Sequence, residues 1–257
     1  MASTPGTFVW YELATPDGPA AQAFYRRVVG WEAKDAGMPG HGYTLLCAGP
    51  REVGGIFALA GTACADAQPG WVGYIGVPDV DAYVAKVKAA GGSVRHESAD
   101  IPGVGRFAGV ADPYDAVFML FQDAGGQAPE PAPPGTPGHV GWHELHAGDG
   151  AGAFVFYSRL FGWTRAEAMD MGPQGVYQMF AAGGPAMGGM MTKAPQIPTP
   201  FWLFYFNVEA IDPAIKRAEA GGGKLVMGPM EVPGGSWIAH CLDPQGVIFA
   251  LAAPTRT

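Results

Sequence analysis

Two glutamates stand where chemistry can be done: Glu12 in Trp10-Tyr11-Glu12-Leu13 and Glu144 in Trp142-His143-Glu144-Leu145. Each lies two residues after a tryptophan. In an extended strand alternate side chains share a face, so each acid points the same way as its indole. A carboxylate beside an indole in an apolar pocket is expected to have a raised pKa and to serve as a general base. The competing reading is a structural lock, with the acid paired to a base on a neighbouring strand or to backbone amides.

The second glutamate sits inside His139-x3-His143-x2-His146, a string that invites a metal. A strand sends His143 and His146 to opposite faces and aligns only Trp142, Glu144 and His146. A helix would gather the histidines, but Val140-Gly141-Trp142 directly after a proline-glycine segment favours a strand. The first copy has Tyr11 and Ala14 at the equivalent positions, so no metal is expected there. Tyr43 and Tyr177 match one another and either offer hydroxyls to a ligand or lie in the core with their tips at the surface. Met187–Met191, with Gly188 and Gly189 inside it, reads as an adaptable apolar wall or as ordinary packing.

The elements that position these residues follow from a duplication. Phe8–Trp31 set over Val140–Trp163, at a constant offset of 132, gives 11 identities in 24 columns without a gap. Gly54-Gly55 answers Gly188-Gly189, Trp71–Ala82 answers Trp202–Pro213, and Asp112-Pro113 answers Asp243-Pro244. A period near 130 residues is a domain, not a solenoid repeat. Residues 1–124 and 139–257 therefore read as two domains, joined by the Pro/Gly-rich linker 125–138.

Within the first copy, Phe8–Leu13 is strand-like. Asp17 caps a helix that buries Ala21, Phe24, Tyr25 and Val28 and stops at Gly30. Strands are expected over Trp31–Asp35, Tyr43–Ala48 and Val53–Leu59. The pattern then restarts: strand Trp71–Val77, helix Asp79–Ala90 with Val80, Tyr83, Val84 and Val87 inward, and strands Ser93–Glu97, Arg106–Ala111 and Ala116–Gln122. Each half is thus βαβββ written twice, an α+β chain of four modules. Two modules side by side make an eight-stranded, partly open barrel, a size that is either filled or holds one small ligand. Glycines within the strands, at 54, 55, 73, 76, 188 and 189, mark bends or the close approach of a ligand.

The order strand, D-x3-A-x2-FY-x4-GW, then DPxG before an apolar strand, resembles the vicinal oxygen chelate superfamily of glyoxalases, bleomycin-resistance proteins and extradiol dioxygenases. Its carriers are Asp17, Phe24-Tyr25, Gly30-Trp31 and Asp112-Pro113, and again Asp149, Phe156-Tyr157, Gly162-Trp163 and Asp243-Pro244-Gln245-Gly246. The W-x-E-L opening looks most like the bacterial two-domain, glyoxalase-like "hydroxylase" branch. That resemblance implies a divalent metal held by His, Glu or Gln on the first and last strands of a module. Carried over, those positions fall on Trp10 and Trp142, on Met119 and Ala250, and on Val72 or Trp71 and Leu203 or Trp202. None is a ligand for such an ion.

Composition narrows the remainder. With 23 acidic against 15 basic residues, the net charge is −8, and aromatics are not interleaved with Lys or Arg. Neither nucleic acid nor an anionic membrane is an expected partner. Three cysteines, Cys47, Cys64 and Cys241, suit a reducing compartment, and the opening residues lack the features of a secretory signal, so a cytoplasmic location is expected. No P-loop, nucleophile elbow or dinucleotide fingerprint is present, and no cofactor is expected. Three functions stay open: a metal-free binder of a small apolar or aromatic metabolite, a glyoxalase-like lyase or isomerase with Glu12 or Glu144 as base, and an interaction protein with filled barrels. The pattern favours the binder, with Trp10, Trp142, Tyr43, Tyr177, His146 and Met119 lining its site. A homodimer is left open.

Overall fold

A computed structural model of the chain describes residues 5–37, 42–59, 68–125 and 132–257. Cys64, the middle of the Ala36–Gly42 loop and part of the linker lie outside the described residues.

The first half runs β1 (Phe8–Thr15), α1 (Gly18–Val28), β2 (Glu32–Asp35), β3 (Tyr43–Ala48), β4 (Arg51–Ala58), β5 (Gly70–Gly76), α2 (Val80–Ala89), β6 (Ser93–Ile101), β7 (Gly105–Ala111) and β8 (Val117–Asp123). The second half repeats it: β9 (Val140–Ala147), α3 (Gly150–Phe161), β10 (Thr164–Asp170), β11 (Val176–Ala181), β12 (Ala186–Thr192), β13 (Phe201–Asn207), α4 (Ile211–Ala220), β14 (Lys224–Glu231), β15 (Trp237–Leu242) and β16 (Ile248–Ala253). A single 3-10 turn, Gly172–Gln174, lies between β10 and β11.

Local chemistry explains these boundaries. The Asp17 carboxylate accepts the Ala20 N–H at 3.0 Å, Asp79 does the same for Ala82, and Asp149 caps α3 through Ala151. Such caps satisfy donors that the first helical turn leaves open. The α1 face buried is the expected one, Ala21, Phe24, Tyr25 and Val28. On α2, Val80, Val84 and Val87 are buried, while Tyr83 lies half-exposed and stacks on Phe161.

Each half forms one open eight-stranded sheet. The orders are β2-β3-β4-β1-β5-β8-β7-β6 and β10-β11-β12-β9-β13-β16-β15-β14. In both, the first strand of a module runs parallel to its fourth, as β1 does to β4 and β9 to β12. The two modules of a sheet meet through their first strands.

Packing divides the chain differently from the sheets. One compact unit comprises the residues up to Trp10, Val72–Glu130 and Trp142–Trp202; the other comprises Tyr11–Trp71, Pro131–Gly141 and Leu203–Thr257. The second module thus packs with the third, and the first with the fourth. In the first of these units, the Tyr157 hydroxyl donates to Asp112 Oδ2 at 3.3 Å and accepts the Trp202 indole N–H. The other unit repeats the arrangement with Tyr25, Asp243 at 3.2 Å and Trp71. The aromatic pair of each FY motif is core, as its helical spacing requires, and its tyrosine also anchors the aspartate of a DPxG-type turn.

Candidate functional site

The side chains singled out in β9 come together on one sheet face within one unit. Trp142, Glu144 and His146 alternate along β9 with His143 and Leu145, which are buried on the opposite side. In the parallel ladder Gly189 stands beside Glu144 and Met191 beside His146. Across β11, Met179 pairs with Gly189, and Tyr177 follows on the same face. Met169 of β10 pairs with Tyr177. The face therefore presents an acid, an imidazole, an indole and a phenol among thioethers.

Glu144 is 8% exposed. Its Oε2 accepts the Tyr177 hydroxyl at 3.0 Å, and that hydroxyl in turn accepts the Trp142 indole N–H at 2.7 Å. Burial, followed by the charge of Glu144, pushes the Tyr177 phenol upward, so it stays protonated and acts as the donor. His146 Nε2 comes within 2.8 Å of the other carboxylate oxygen, Oε1. It is out of line for a hydrogen bond and is buried without one. The His146 ring stacks on Phe201 of β13, with centroids 4.7 Å apart and planes 9° from parallel.

Glycine makes this arrangement sterically possible. A Cβ on Gly189 would sit 2.1 Å from the Tyr177 ring, so only a bare Cα lets the phenol lie across β12 to reach Glu144. The expectation that strand glycines mark bends or a ligand's approach is corrected at this position: the occupant is the protein's own tyrosine. Gly188 admits the His143 carbonyl and the Phe180 ring. The Tyr177 hydroxyl, read from the sequence as offered to a ligand or as the tip of a core ring, donates to Glu144.

The first half repeats the scaffold with different detail. Glu12 is in register with Gly55 of β4, and Tyr43 of β3 lies over Gly55, its hydroxyl 2.1 Å from where a Cβ would be. Trp10 and Glu12 share a face of β1, half-buried. Ala14 occupies the place that His146 holds in the second half. Met119, on β8 of the first sheet, is half-buried and in register with Tyr74 and Gly109.

Two other histidines, His143 and His240, make different contacts. His143 is buried, stacks on Phe8 at 4.3 Å, and its Nδ1 lies 2.7 Å from the Met187 carbonyl. Burial lowers its pKa to about 4, so it is a neutral imidazole donating that hydrogen bond. His240 Nε2 lies 2.7 Å from the Tyr205 hydroxyl. Sequence reasoning did not single out Phe201 or this Tyr205–His240 pair. Phe201 opens an aromatic strand, and only the β9–β13 pairing brings it beside His146.

Among the described residues the donors do not fit a metal. The positions implied by the resemblance carry indoles, a thioether and aliphatic groups. Among the described residues no three His, Cys, Asp or Glu side chains gather closely enough to hold an ion. Two grooves, of about 300 and 250 Å³, lie elsewhere, around Arg106 and around Arg217, and neither is lined by a candidate residue. Among the described residues no helix is long and apolar enough to cross a membrane.

Comparison with known proteins adds relatives to this geometry. A family model described as Glyoxalase/Bleomycin resistance protein/Dioxygenase superfamily matches residues 7–120 and again 136–251. "Putative glyoxylase CFP32" of Mycobacterium bovis is 32% identical over 263 residues, covering 97% of this chain and 95% of that protein. "Anthracycline biosynthesis protein DauV" of Streptomyces sp. (strain C5) is 30% identical, covering 96% and 93%. Among solved structures, a Mn(II)-bound glyoxalase from Novosphingobium aromaticivorans superposes with a TM-score of 0.69 at 16% identity, over 98% of this chain and 83% of that one. The 2,3-dioxygenase LapB from Pseudomonas sp. KL28 gives 0.67 at 14%, over 98% and 93%. At such identities these two structures show a shared fold alone.

Proposed function

Since the chain belongs to the glyoxalase/bleomycin resistance protein/dioxygenase superfamily, we propose that it is a metal-free binding protein for a small apolar or aromatic metabolite. The ligand lies on the face carrying Trp142, Glu144, His146 and Tyr177, or on its first-half counterpart with Trp10, Glu12 and Tyr43; Met119 is a further lining residue of the first sheet. One observation carries this reading: a carboxylate 8% exposed and fixed by a tyrosine, among an indole and thioethers. Apolar walls with a few placed polar groups are the usual chemistry of a small-molecule site. Thioethers suit aromatic ligands, since sulfur packs favourably against ring edges. The anthracycline-related name of one relative supports an aromatic ligand, because anthracyclines are fused-ring aromatics.

The second reading is a glyoxalase-like lyase or isomerase in which Glu144, or Glu12, removes a proton. It is favoured by the imidazole 2.8 Å from Glu144, a group able to relay that proton. Two measurements separate the readings. Elemental analysis of protein purified without chelators is expected to find zinc, nickel, iron and manganese far below one equivalent; a stoichiometric ion ends the metal-free proposal. Native mass spectrometry of protein taken directly from its cells is expected to show a retained organic molecule, released on Trp142→Ala. Turnover of a defined substrate by the native protein, abolished in Glu144→Gln, would instead establish the lyase or isomerase.

A further inference from the structure

The two halves share their tryptophan, glutamate and tyrosine, yet differ in polarity on the same face, where His146 answers Ala14 and Met191 beside it answers Phe57. We propose that His146 makes the second-half face the selective one, by supplying a hydrogen bond to a hydroxyl of the bound ligand that the first half cannot make. This rests on the small-molecule-binding reading above and specifies which copy binds and what group it recognises.

Three observations carry the proposal. First, His146 Nε2 is buried and makes no hydrogen bond, although a carboxylate oxygen lies 2.8 Å away off its axis. Buried polar atoms are nearly always satisfied by protein, water or ligand, so this nitrogen is open to a partner that the chain itself does not supply. Second, stacking on Phe201 holds the ring in place, so the nitrogen is aimed before any ligand binds. Third, the Tyr177 hydroxyl donates to Glu144 Oε2, and Oε1 is the oxygen next to Nε2. An imidazole N–H and a carboxylate oxygen side by side form a donor–acceptor pair. A hydroxyl lying against both accepts from Nε2 and donates to Oε1, giving the imidazole its missing partner. The ligand class follows: an apolar, preferably planar molecule with one hydroxyl. Half-buried Met179, Met187 and Met191 are the adaptable surface on which its ring lies.

The test uses the full chain with 2-naphthol and naphthalene as probes, titrated by tryptophan fluorescence and by calorimetry. One equivalent of 2-naphthol is expected to bind tightly, with a preference over naphthalene. His146→Ala is expected to lower 2-naphthol affinity about five- to tenfold, the loss of one hydrogen bond, and to erase the preference. His146→Gln, which keeps a donor, restores part of it. Ala14→His together with Gly70→Phe, which supplies the ring to stack on it, is expected to add a second equivalent. A wild-type stoichiometry of two equal sites, or an unchanged preference in His146→Ala, overturns the assignment to His146 while leaving the binding reading in place. Binding of neither probe, or binding indifferent to Trp142→Ala and Trp10→Ala alike, overturns both.

Discussion

The hydroxyl of Tyr25 donates to Asp243 Oδ2 at 3.2 Å across 218 residues of chain. The other oxygen of Asp243 accepts the N–H groups of Gln245 and Val247, both at 2.9 Å, and so folds the Asp-Pro-Gln-Gly turn. The carboxylate is 3% exposed, and burial raises its pKa. Asp243→Ala leaves two backbone donors and a phenol without their acceptor, and is expected to cost about 3 kcal/mol. Asp243→Asn keeps an oxygen for the turn and offers an N–H to Tyr25, while removing a charge that burial disfavours. Its expected cost is below about 1.5 kcal/mol. Urea unfolding measures both, and equal losses would show that the turn does not depend on this oxygen.

Gly189→Ala is expected to destabilise the chain by about 2 kcal/mol, because its methyl enters the Tyr177 ring and the core cannot yield freely. Double-mutant analysis isolates the cause. In a Tyr177→Ala background the added methyl has room, so the glycine substitution should cost little there, and the coupling energy should approach the full single-mutant loss. Additive effects would place the strain elsewhere.

Most of the architecture was legible because it is local and doubled. Asp17, Gly30 and the 3.6-residue spacing of Phe24, Tyr25 and Val28 specify one helix, and the second copy repeats the pattern at a fixed offset. The alternation of Trp142, Glu144 and His146 likewise follows from strand geometry alone. What escaped depends on partners distant in sequence. Nothing near Glu144 announces Tyr177, 33 residues on, and nothing near Tyr25 announces Asp243. The strand glycines show the same limit: Gly55 and Gly189 were readable as special, but the aromatic ring filling each space was not. Sheet membership follows the two halves, whereas packing joins the first module to the fourth and the second to the third, because the FY and DPxG motifs of opposite halves are the ones in contact.

Buried His143 is expected to make stability depend on acidity. Its folded pKa, about 4, lies below the ordinary value of 6.5. The unfolded chain therefore takes up a proton that the folded protein refuses. Its contribution is complete above about pH 6.5, is lost as the pH falls towards 4, and changes no further below that. Between pH 7.5 and 4.5 the loss should be about 2–3 kcal/mol. Comparison with His143→Gln removes the background from the carboxylates. The stability gap between wild type and variant should shrink in acid, and a gap independent of pH would exclude this imidazole as the cause.

Separating the halves tests how far each depends on the other. Residues 1–124 contain Tyr25 and Trp31, whose partners Asp243 and the Gly138 carbonyl lie beyond that fragment. Residues 139–257 contain Tyr157 and Trp163, whose partners are Asp112 and the Gly6 carbonyl of the other half. Each fragment alone would leave the apolar faces of two modules uncovered and a buried phenol without its carboxylate. Each also carries an internal substitute, because Asp112 and Asp243 are equivalent by duplication. Either fragment is thus expected to be unfolded or to pair with a second copy of itself, and mixing the two should give a 1:1 complex. Light scattering coupled to size exclusion, with circular dichroism for folding, distinguishes these states. A folded, monomeric fragment with the unfolding midpoint of the whole chain would mean that these contacts between halves contribute little to stability.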